Sequence, residues 1–502
     1  MHTDGWQRAC ARFVDAEGLD PGVLPLLDAF GGPARVEPTR AFAELEAGAA
    51  ALLDLDARIA RRLTEEVDGP QAAMFARRLR AVHARLGVLA AARPEARVLR
   101  VGLLQRAAEI LDAPKPRALR IRALADFYYS HAALLQHGAG PPLEEAVAAA
   151  RWREVGPGVA HARITGPSDF GPLHVNALRV RGGRLRVLDT QATAPGVSFA
   201  EVMRSRGATA GVSGGFFLYS ESDIQPPAAQ GDPVGLLVSD GEVVQPPAFR
   251  RAALVEDARG QRTIAPLGPE GLVVRWPGGE ARVTARNTAA ASGWTAFNRA
   301  FGLESPGGRR AGVAVVGRQV VASGQGSLPI PLSGFVLRAP VGVPLTGAEP
   351  GARVSFSLSA PVRDAPVRDA IAGGPMLLDP DGPERELPAE DFSGTAPPVT
   401  FSTDETYDQN LLPRMAAGLT ADGALVFAAV DGRNFERAPG LTLAATARLM
   451  AALGCVRAMN LDGGSSKRMV VQGEVVDLPS TEVVSGGGPT PVRPVRTAVL
   501  FD

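Results

Sequence analysis

The stretch TLAATARLMAALGCVRAMNLDGGSSKRMVVQGEVV, residues 442–476, contains the clearest succession of secondary-structure signals in the chain. Apolar residues recur at helical spacing over 442–453, with Thr442 as the predicted N-cap and Gly454 as the residue that ends the helix. The run CVRAMNL then predicts a buried strand, and MVVQGEVV predicts a hairpin around its Gln-Gly pair. The intervening DGGSS, 462–466, is therefore predicted to be a turn at the end of a buried strand.

Outward from this stretch, the chain keeps the same β-rich character from about residue 155 to its end. Short apolar runs alternate with glycine turns in LRVRGGRLRVL, LLVSDGEVV, AVVGRQVV and LVFAAVDGR. Several turns are Gly-Gly, Asp-Gly or Gln-Gly pairs, which are typical of two-residue β-hairpins. We predict one large, β-rich α+β domain over residues 155–502.

The N-terminal region has a different composition. Residues 1–150 are rich in Ala, Leu, Arg and Glu, and 117–137 place apolar side chains three to five positions apart. This spacing indicates amphipathic helices, which prolines separate from one another. We predict an all-α domain over residues 1–150, so the expected fold class is α+β, with an all-α N-terminal domain followed by a large β-rich α+β domain.

The bulk composition excludes several classes of partner. The chain has 502 residues with 53 basic and 53 acidic residues, which is ordinary for a globular protein of two or more domains. Without a net positive charge, neither nucleic acid nor a membrane surface is expected as the main partner. No secretory signal pattern and no apolar run of about 18 residues is seen, so a cytoplasmic location is expected. The oligomeric state is left unknown.

The positions of the histidines limit the chemistry of the β-rich domain. All six histidines lie before residue 175. A Ser-His-Asp triad drawn from the later motifs would therefore require His161 or His174 to fold back toward them. Otherwise the chemistry depends on carboxylates, arginines, hydroxyl groups and backbone amides, a set that suits glycosyl or phosphoryl transfer.

Five segments of the β-rich region form an ordered set of motifs. They are GVSGGFF at 211–217, GDPVGLLVSDGEV at 231–243, IAGGPMLL at 371–378, LPRMAAG at 412–418, and 430–470, which begins with VDGR and contains NLDGGSS. Together they resemble the phosphodiester glycosidase family, over about residues 155–502. The resemblance implies a hydrolase of carbohydrate metabolism, and many bacterial members of the family are linked to exopolysaccharides.

The sequence departs from the family pattern at three places. Ser213 stands where the family has Asn, and Met415 stands where it has Thr. Lys467 and Arg468 follow the serines where small polar residues are more usual. Lys467 is one of only two lysines in the chain, and we interpret it as an addition to a phosphate clamp.

Three carboxylates are candidate catalytic groups. Asp462 is the first choice for an essential carboxylate, as general acid or base, nucleophile or metal ligand. Asp431 either orients Arg433 or binds a cation, and Glu405 is the second carboxylate by position. Both aspartates are also typical of tight turns closed by the side chain itself. No cofactor is certain, and a divalent cation is compatible with these carboxylates.

The remaining candidates are expected to bind the substrate. Arg414 and Arg433 are predicted phosphate clamps, because a guanidinium group matches phosphate oxygens bidentately. Asn460 lies two positions before Asp462 and would share its face of a strand. The other candidates come from the same motifs: Ser213, Gly214, Gly215, Gly373, Gly374, Gly463, Gly464, Ser465, Ser466 and Lys467.

The resemblance implies cleavage of the bond between an anomeric sugar carbon and phosphate, giving a free sugar and a phosphomonoester. The partner would be a small-molecule or glycan phosphodiester. Two alternatives stay open. Ser213 and Met415 motivate a non-catalytic binder of a phosphorylated glycan or nucleotide sugar. The additional N-terminal region motivates an enzyme acting on a soluble intracellular phosphodiester metabolite.

Overall fold

A computed structural model of the protein describes residues 130, 140–190, 194–218, 224, 228–358, 365–380, 390, 410–434, 437–478 and 494–502. The described part is rich in β-strands and has few helices. Apart from residue 130 and residues 140–150, the predicted all-α domain lies outside the described residues, so that prediction is neither confirmed nor contradicted. The candidate Glu405 also lies outside them.

The described segments contain three α-helices and 27 strands. The helices are α1 (Leu143–Ala148), α2 (Phe199–Ser205) and α3 (Leu443–Ala452), and a 3₁₀ turn spans Gly464–Ser466. The first strands are β1 (Trp152–Gly156), β2 (Val159–Gly166), β3 (Leu173–Val180), β4 (Leu185–Asp189), β5 (Ala210–Ser213), β6 (Leu237–Ser239), β7 (Glu242–Gln245), β8 (Arg251–Asp257) and β9 (Arg262–Leu267). The next are β10 (Leu272–Trp276), β11 (Gly279–Arg282), β12 (Ala285–Arg286), β13 (Thr295–Phe297), β14 (Glu304–Ser305), β15 (Gly312–Val316), β16 (Gln319–Gly324), β17 (Leu328–Pro329), β18 (Phe335–Arg338) and β19 (Ser355–Leu358). The last are β20 (Val367–Ala372), β21 (Met376–Leu378), β22 (Arg414–Thr420), β23 (Leu425–Val430), β24 (Cys455–Leu461), β25 (Met469–Val471), β26 (Glu474–Val475) and β27 (Thr497–Phe501).

Two sheets enclose the main core. One has seven strands in the order β1-β2-β3-β23-β22-β24-β21, and the other has five in the order β26-β25-β5-β27-β4. Apolar side chains of both sheets pack together in the layer between them, where the rings of Phe427 and Phe501 lie 5.2 Å apart. A third sheet, β7-β6-β20-β8-β9, adds Leu237, Leu254 and Ile371 to the same core.

Helices cover the outer faces of both core sheets. Helix α3 packs Leu449 and Met450 against small residues of the seven-stranded sheet, and α1 joins the same cluster. A Cβ atom at Gly418 would lie 2.8 Å from the Cε atom of Met450, so the lack of a side chain there permits this close packing. Helix α2 covers the opposite side with Phe199, Val202 and Met203.

An insertion between β9 and β20 builds a second core. Its principal sheet has the order β12-β13-β18-β15-β16, and a three-stranded sheet, β11-β10-β19, packs beside it. Apolar residues of both sheets share one buried cluster with Phe216 and Leu218, which follow β5. The insertion therefore contacts the chain immediately after the GVSGG segment.

The central sequence predictions are confirmed. Helix α3 begins after Thr442, whose Oγ1 accepts a hydrogen bond from Ala445 N at 3.0 Å, and Gly454 follows its last turn with φ of 89°. Strand β24 then leads into the DGGSS turn. The Gln-Gly and Asp-Gly hairpins form as predicted, with left-handed backbone at Gln472 and Asp240.

The hairpin predicted at Gly182–Gly183 is wrong. Both glycines have positive φ, but β3 belongs to the seven-stranded sheet and β4 to the five-stranded sheet. The turn connects the two sides of the core, and Leu178 and Val187 are both buried in that core. A Gly-Gly turn lets the chain reverse its direction, but it does not determine which strand each flanking strand pairs with. Here that pairing is determined by which face of each strand is buried.

None of the helices in the described segments is long and apolar enough to cross a membrane.

Candidate active site

Strand alternation carries polar side chains to one end of the main core. In β3, His174 is four residues from the core residue Leu178 and shares its face. Asp431 directly follows β23, four residues beyond the core residue Phe427, and its side chain also points toward the core. The same two-residue period that builds the core therefore brings a histidine and a carboxylate together at its edge.

Asp431 is the centre of a buried polar network. Its Oδ2 atom is hydrogen-bonded to Nδ1 of His174, and its Oδ1 atom lies 2.5 Å from Nζ of Lys467. The backbone N–H of Leu478 also donates to Oδ1, at 3.1 Å. The Asp431 side chain is 1% exposed. Burial alone would raise the pKa of this carboxyl, but the charge of Lys467 and the hydrogen bonds from His174 and Lys467 hold it below its ordinary value.

Lys467 lies between two carboxylates. Its side chain is fully buried, and Nζ is 2.5 Å from Oδ1 of Asp431 and 2.7 Å from Oδ2 of Asp477. A third acceptor, the carbonyl oxygen of Leu478, lies at 3.3 Å. A lysine ammonium has three N–H donors, so these acceptors occupy all of them. The predicted phosphate contact of Lys467 stays a prediction, and the observed contacts all lie within the protein.

Arg468 and Asp477 extend the network toward Ser213. Nη1 of Arg468 donates to Oδ2 of Asp477 at 3.0 Å, and Met469 N donates to its Oδ1 at 2.6 Å. The backbone N–H of Arg468 donates to Oγ of Ser213 at 3.0 Å. Two acidic side chains thus face two basic ones, which balances the buried charge. The buried Ser213 hydroxyl group is the acceptor that joins β5 to this segment.

The DGGSS turn meets several distant segments. The backbone N–H of Asp462 donates to the carbonyl oxygen of Gly214 at 3.1 Å, and that of Gly464 donates to Pro413 at 2.9 Å. A Cβ atom at Gly464 would lie 3.7 Å from Nη1 of Arg433. Asp462, Gly463, Gly464 and Ser465 are partly exposed, whereas Ser466 is buried. The turn and His174 are therefore the accessible parts of a cluster whose other side chains are buried.

The motif glycines permit these close approaches. At each of four of them, an added Cβ would lie 2.6 Å or less from an atom of another segment; the four are Gly214, Gly215, Gly373 and Gly463. Gly374 has φ of 107°, and a Cβ there would overlap the carboxylate of Glu390. The atoms approached belong to the protein itself, so the glycines have a structural reason that is independent of any ligand.

The two predicted phosphate clamps lie in different surroundings. Arg414 is buried, and its Nε and Nη2 atoms donate to the carbonyl oxygens of Leu441 and Asn410, each at 3.0 Å. Arg433 has φ of 61°, a left-handed conformation that is uncommon outside glycine, and its backbone N–H donates to Pro439. Arg433 is thus next to the DGGSS turn, whereas two donors of Arg414 bind backbone. The phosphate role of each stays a prediction.

Asn460 connects the GGP turn to β24. Its Nδ2 donates to the carbonyl oxygen of Gly374 at 3.1 Å, and the N–H of Gly374 donates to the carbonyl oxygen of Asn460 at 2.7 Å. Within the described residues, Oδ1 of Asn460 is a buried acceptor without a hydrogen bond. The side chain therefore keeps one unused acceptor beside the cluster.

Three members of the network, His174, Arg468 and Asp477, were not among the predicted site residues, and Arg468 was noted only as a departure from the family pattern. His174 was considered only on the condition that it folds back, which it does, and its alternation with Asn176 and Leu178 in LHVNALRV is the signal that could have indicated it. Asp477 follows the last hairpin and matches no motif element. Its contact with Lys467 depends on how the hairpin folds, and no sequence signal indicated it.

No metal site is evident in the segments that the structure describes. They contain no group of three or more His, Cys, Asp or Glu side chains arranged to hold a metal ion. Both carboxylate oxygens of Asp431 are already engaged by His174 and Lys467. Among the predicted carboxylates described here, Asp462 is the one whose residue is partly exposed.

Comparisons with known proteins give a family match in the C-terminal part of the chain. Residues 310–501 match the family model described as phosphodiester glycosidase. A further match is the SPbeta prophage-derived uncharacterized protein YomE of Bacillus subtilis (strain 168), 40% identical over 65 residues. That match spans 13% of this chain and 10% of the relative.

Three solved structures are also similar to the chain. A hypothetical protein from Synechocystis is 19% identical, with a TM-score of 0.43 over 70% of this chain and 64% of that chain. A putative exported protein from Burkholderia pseudomallei K96243 is 24% identical, with a TM-score of 0.42 over 67% and 75%. The pro-peptide-inhibited catalytic domain of zebrafish N-acetylglucosamine-1-phosphodiester alpha-N-acetylglucosaminidase is 14% identical, with a TM-score of 0.40 over 70% and 85%.

Proposed function

We propose that this chain, which carries a phosphodiester glycosidase domain over residues 310–501, hydrolyses a glycosyl phosphodiester. The bond broken joins the anomeric carbon to the bridging phosphate oxygen, and the products are a free sugar and a phosphomonoester. The observation that supports the proposal most is that the partly exposed DGGSS turn lies next to Arg433 and is hydrogen-bonded to Gly214.

In this proposal Asp462 supplies the carboxylate that faces the anomeric carbon. It follows the end of β24, and its backbone is held by Gly214. Glycosidic cleavage passes through an oxocarbenium-like transition state, which a nearby carboxylate stabilises as a charge or as a nucleophile. Phosphate is a good leaving group, so stabilising the developing positive charge contributes more than protonating the leaving oxygen.

Arg433 binds the phosphate in this proposal. Nη1 of its guanidinium lies 3.7 Å from the position that a Cβ atom of Gly464 would occupy, so the guanidinium is next to the turn. A guanidinium group pairs bidentately with phosphate oxygens, and burial strengthens such a contact. The left-handed backbone of Arg433 costs about 1–3 kcal/mol, and strained residues of this kind cluster at functional sites.

Arg414, Lys467 and Ser213 position the site in this proposal. Each uses its side-chain polar atoms in contacts with other parts of the protein. Arg414 fixes the start of β22 beside the DGGSS turn, and Lys467 fixes Asp431 at the start of the DGR turn. Substitutions at these residues are expected to act through the geometry of Asp462 and Arg433.

The proposal is tested by incubating the protein with small-molecule and glycan sugar-1-phosphate diesters and measuring free sugar and phosphomonoester together. Asp462→Asn and Arg433→Ala should each lower kcat/KM by about 100-fold or more, in the range of an essential electrostatic contact. Arg282→Ala, at an exposed position of the insertion, is the matched control and should leave the rate unchanged.

Saturable binding of these diesters without any product would contradict hydrolysis and favour a non-catalytic binder. Hydrolysis that both site variants retain in full would place the active site elsewhere in the chain.

A further inference from the structure

We propose that His174 is a catalytic base of this site, positioned by Asp431 and Lys467, and that its Nε2 atom accepts a proton from the attacking water. The inference rests on the proposed function, because it assigns the proton acceptor of that hydrolysis. It depends on the hydrogen bond between His174 in β3 and Asp431 in the turn after β23. These two residues are 257 positions apart in the chain.

The geometry leaves one ring nitrogen for chemistry. Nδ1 of His174 is hydrogen-bonded to Asp431, whose side chain is 1% exposed, whereas the His174 side chain is 14% exposed. An ionised carboxylate can only accept, so in the neutral ring Nδ1 carries the proton and Nε2 keeps a lone pair. No hydrogen bond to Nε2 is seen among the residues that the structure describes. The ring therefore extends from a buried carboxylate toward the accessible surface.

The buried cation keeps the carboxylate in its accepting form. Nζ of Lys467 contacts the oxygen of Asp431 that His174 does not use, and Asp477 holds Lys467 from the other side. A base oriented by a carboxylate in this way keeps one tautomer and is stabilised when it takes up a proton. Lys467 acts through Asp431 and is a positioning residue.

Few other titratable groups compete for this role. On the neighbouring strand β2, the residue opposite His174 is Thr165. The histidine of β2, His161, is hydrogen-bonded to Asn176, with His161 Nε2 3.0 Å from Asn176 Oδ1. From β23 and the last hairpin, the charged groups are Asp431, Lys467, Asp477 and Arg468, which bind one another. Among the titratable groups of the cluster, the partly exposed ones are therefore Asp462 and His174.

The step balances without a further reactant. A water oxygen forms a bond to the anomeric carbon, and its proton moves to Nε2 of His174. The bond from that carbon to the bridging oxygen breaks, and its electron pair leaves with the phosphomonoester. The protonated ring then gives its proton to solvent, so that one water is consumed and one sugar hydroxyl group is formed.

A general base contributes typically 10²–10⁴-fold to a rate, so His174→Gln should lower kcat by about 100-fold or more with little change in KM. The acidic limb of its rate–pH profile should disappear with the titrating group. Imidazole added to His174→Gly should restore part of the rate. Asp431→Asn should also lower kcat. The amide that replaces the carboxylate can donate a hydrogen bond to Nδ1, which favours the tautomer that carries its proton on Nε2.

His161→Gln is the matched control, since His161 lies on the neighbouring strand and is no part of the network around Asp431. Its kcat and its rate–pH profile should match those of the wild type. Thermal unfolding of every variant shows whether each one folds.

The tautomer is checked without any substrate. Nitrogen-15 NMR of the histidines, assigned by loss of one signal in His174→Gln, should show Nδ1 protonated and Nε2 unprotonated in the neutral ring. The reverse tautomer would overturn the inference. So would His174→Gln with wild-type kcat and an unchanged acidic limb, while the proposed hydrolysis would stand. A wild type that hydrolyses none of the diesters would overturn both.

Discussion

Lys467 and Asp431 form a fully buried ion pair, with Nζ 2.5 Å from Oδ1, that connects the chain before β25 to the turn after β23. Asp477 binds the same ammonium group at 2.7 Å. Removing one partner of a buried pair leaves an uncompensated charge, which is more costly than the pair itself is stabilising. The stability of this end of the protein should therefore depend strongly on one of its two lysines.

Lys467→Met should lower the free energy of unfolding by about 3–5 kcal/mol, because both carboxylates would lose the cation between them. Chemical denaturation at neutral pH measures the change. In Lys467→Met/Asp477→Asn the loss should be smaller than the sum of the two single losses, since the residues interact directly. An unfolding free energy of Lys467→Met equal to that of the wild type would show that the pair is not formed in solution.

The stability that Asp431 contributes should depend on pH. The pKa of its carboxyl is held below the ordinary value in the folded protein, against the effect of burial. Such a group stabilises the fold above its unfolded pKa, and the contribution disappears as the pH falls through the folded pKa. The difference in unfolding free energy between wild type and Asp431→Asn should thus shrink as the pH falls below about 4. A difference that stays constant from neutral to acidic pH would argue against the lowered pKa.

Gly373→Ala should damage both stability and activity. A Cβ atom there would overlap the backbone oxygen of Asn460, near the end of β24. Relieving this overlap would require the backbone to move rather than a flexible side chain. We expect a loss of about 1–3 kcal/mol, as for an overpacked core. Gly326→Ala, where an added Cβ meets no atom within 4 Å, is the control and should change stability by about 0.5 kcal/mol or less. Equal effects of the two substitutions would contradict the close approach.

Cys455 should be inert in the folded protein. Burial raises the pKa of its thiol to about 12, and nearby Arg179 offsets only part of that effect. Because the thiolate is the reactive form, iodoacetamide at neutral pH should leave Cys455 unmodified until the protein is unfolded. Peptide mass spectrometry of native and denatured samples measures this. Comparable modification in both states would mean that the β24 start is accessible.

Much of the fold around the DGGSS turn could be predicted from local signals. The helix cap at Thr442, the buried strand and the Gln-Gly hairpin depend on residues near each other in the sequence, and all three are observed. The Gly-Gly turn after β3 shows the limit of such signals. Whether two successive strands pair depends on which sheet buries each of them, and the turn itself carries no such information.

The candidate site could be predicted in part. Chain order and motif spacing indicated that the GVSGGFF, GGP, DGR and DGGSS segments belong together, and the structure brings these segments into contact. The side-chain partners depend on distant pairings that local sequence does not contain. Lys467 was singled out by its rarity, but its partner Asp477 was not. Arg414 was chosen by motif, whereas strand alternation places it on the face that α3 covers, beside Leu441.

Hydrolysis in water enriched in oxygen-18 tests the central proposal most directly. The phosphomonoester released from a sugar-1-phosphate diester is weighed by mass spectrometry, because a reducing sugar can exchange its anomeric oxygen with water. Attack at the anomeric carbon, as proposed for Asp462 and Arg433, predicts a phosphomonoester without the label. A phosphomonoester that carries one oxygen-18 would mean attack at phosphorus, and would contradict a glycosidase.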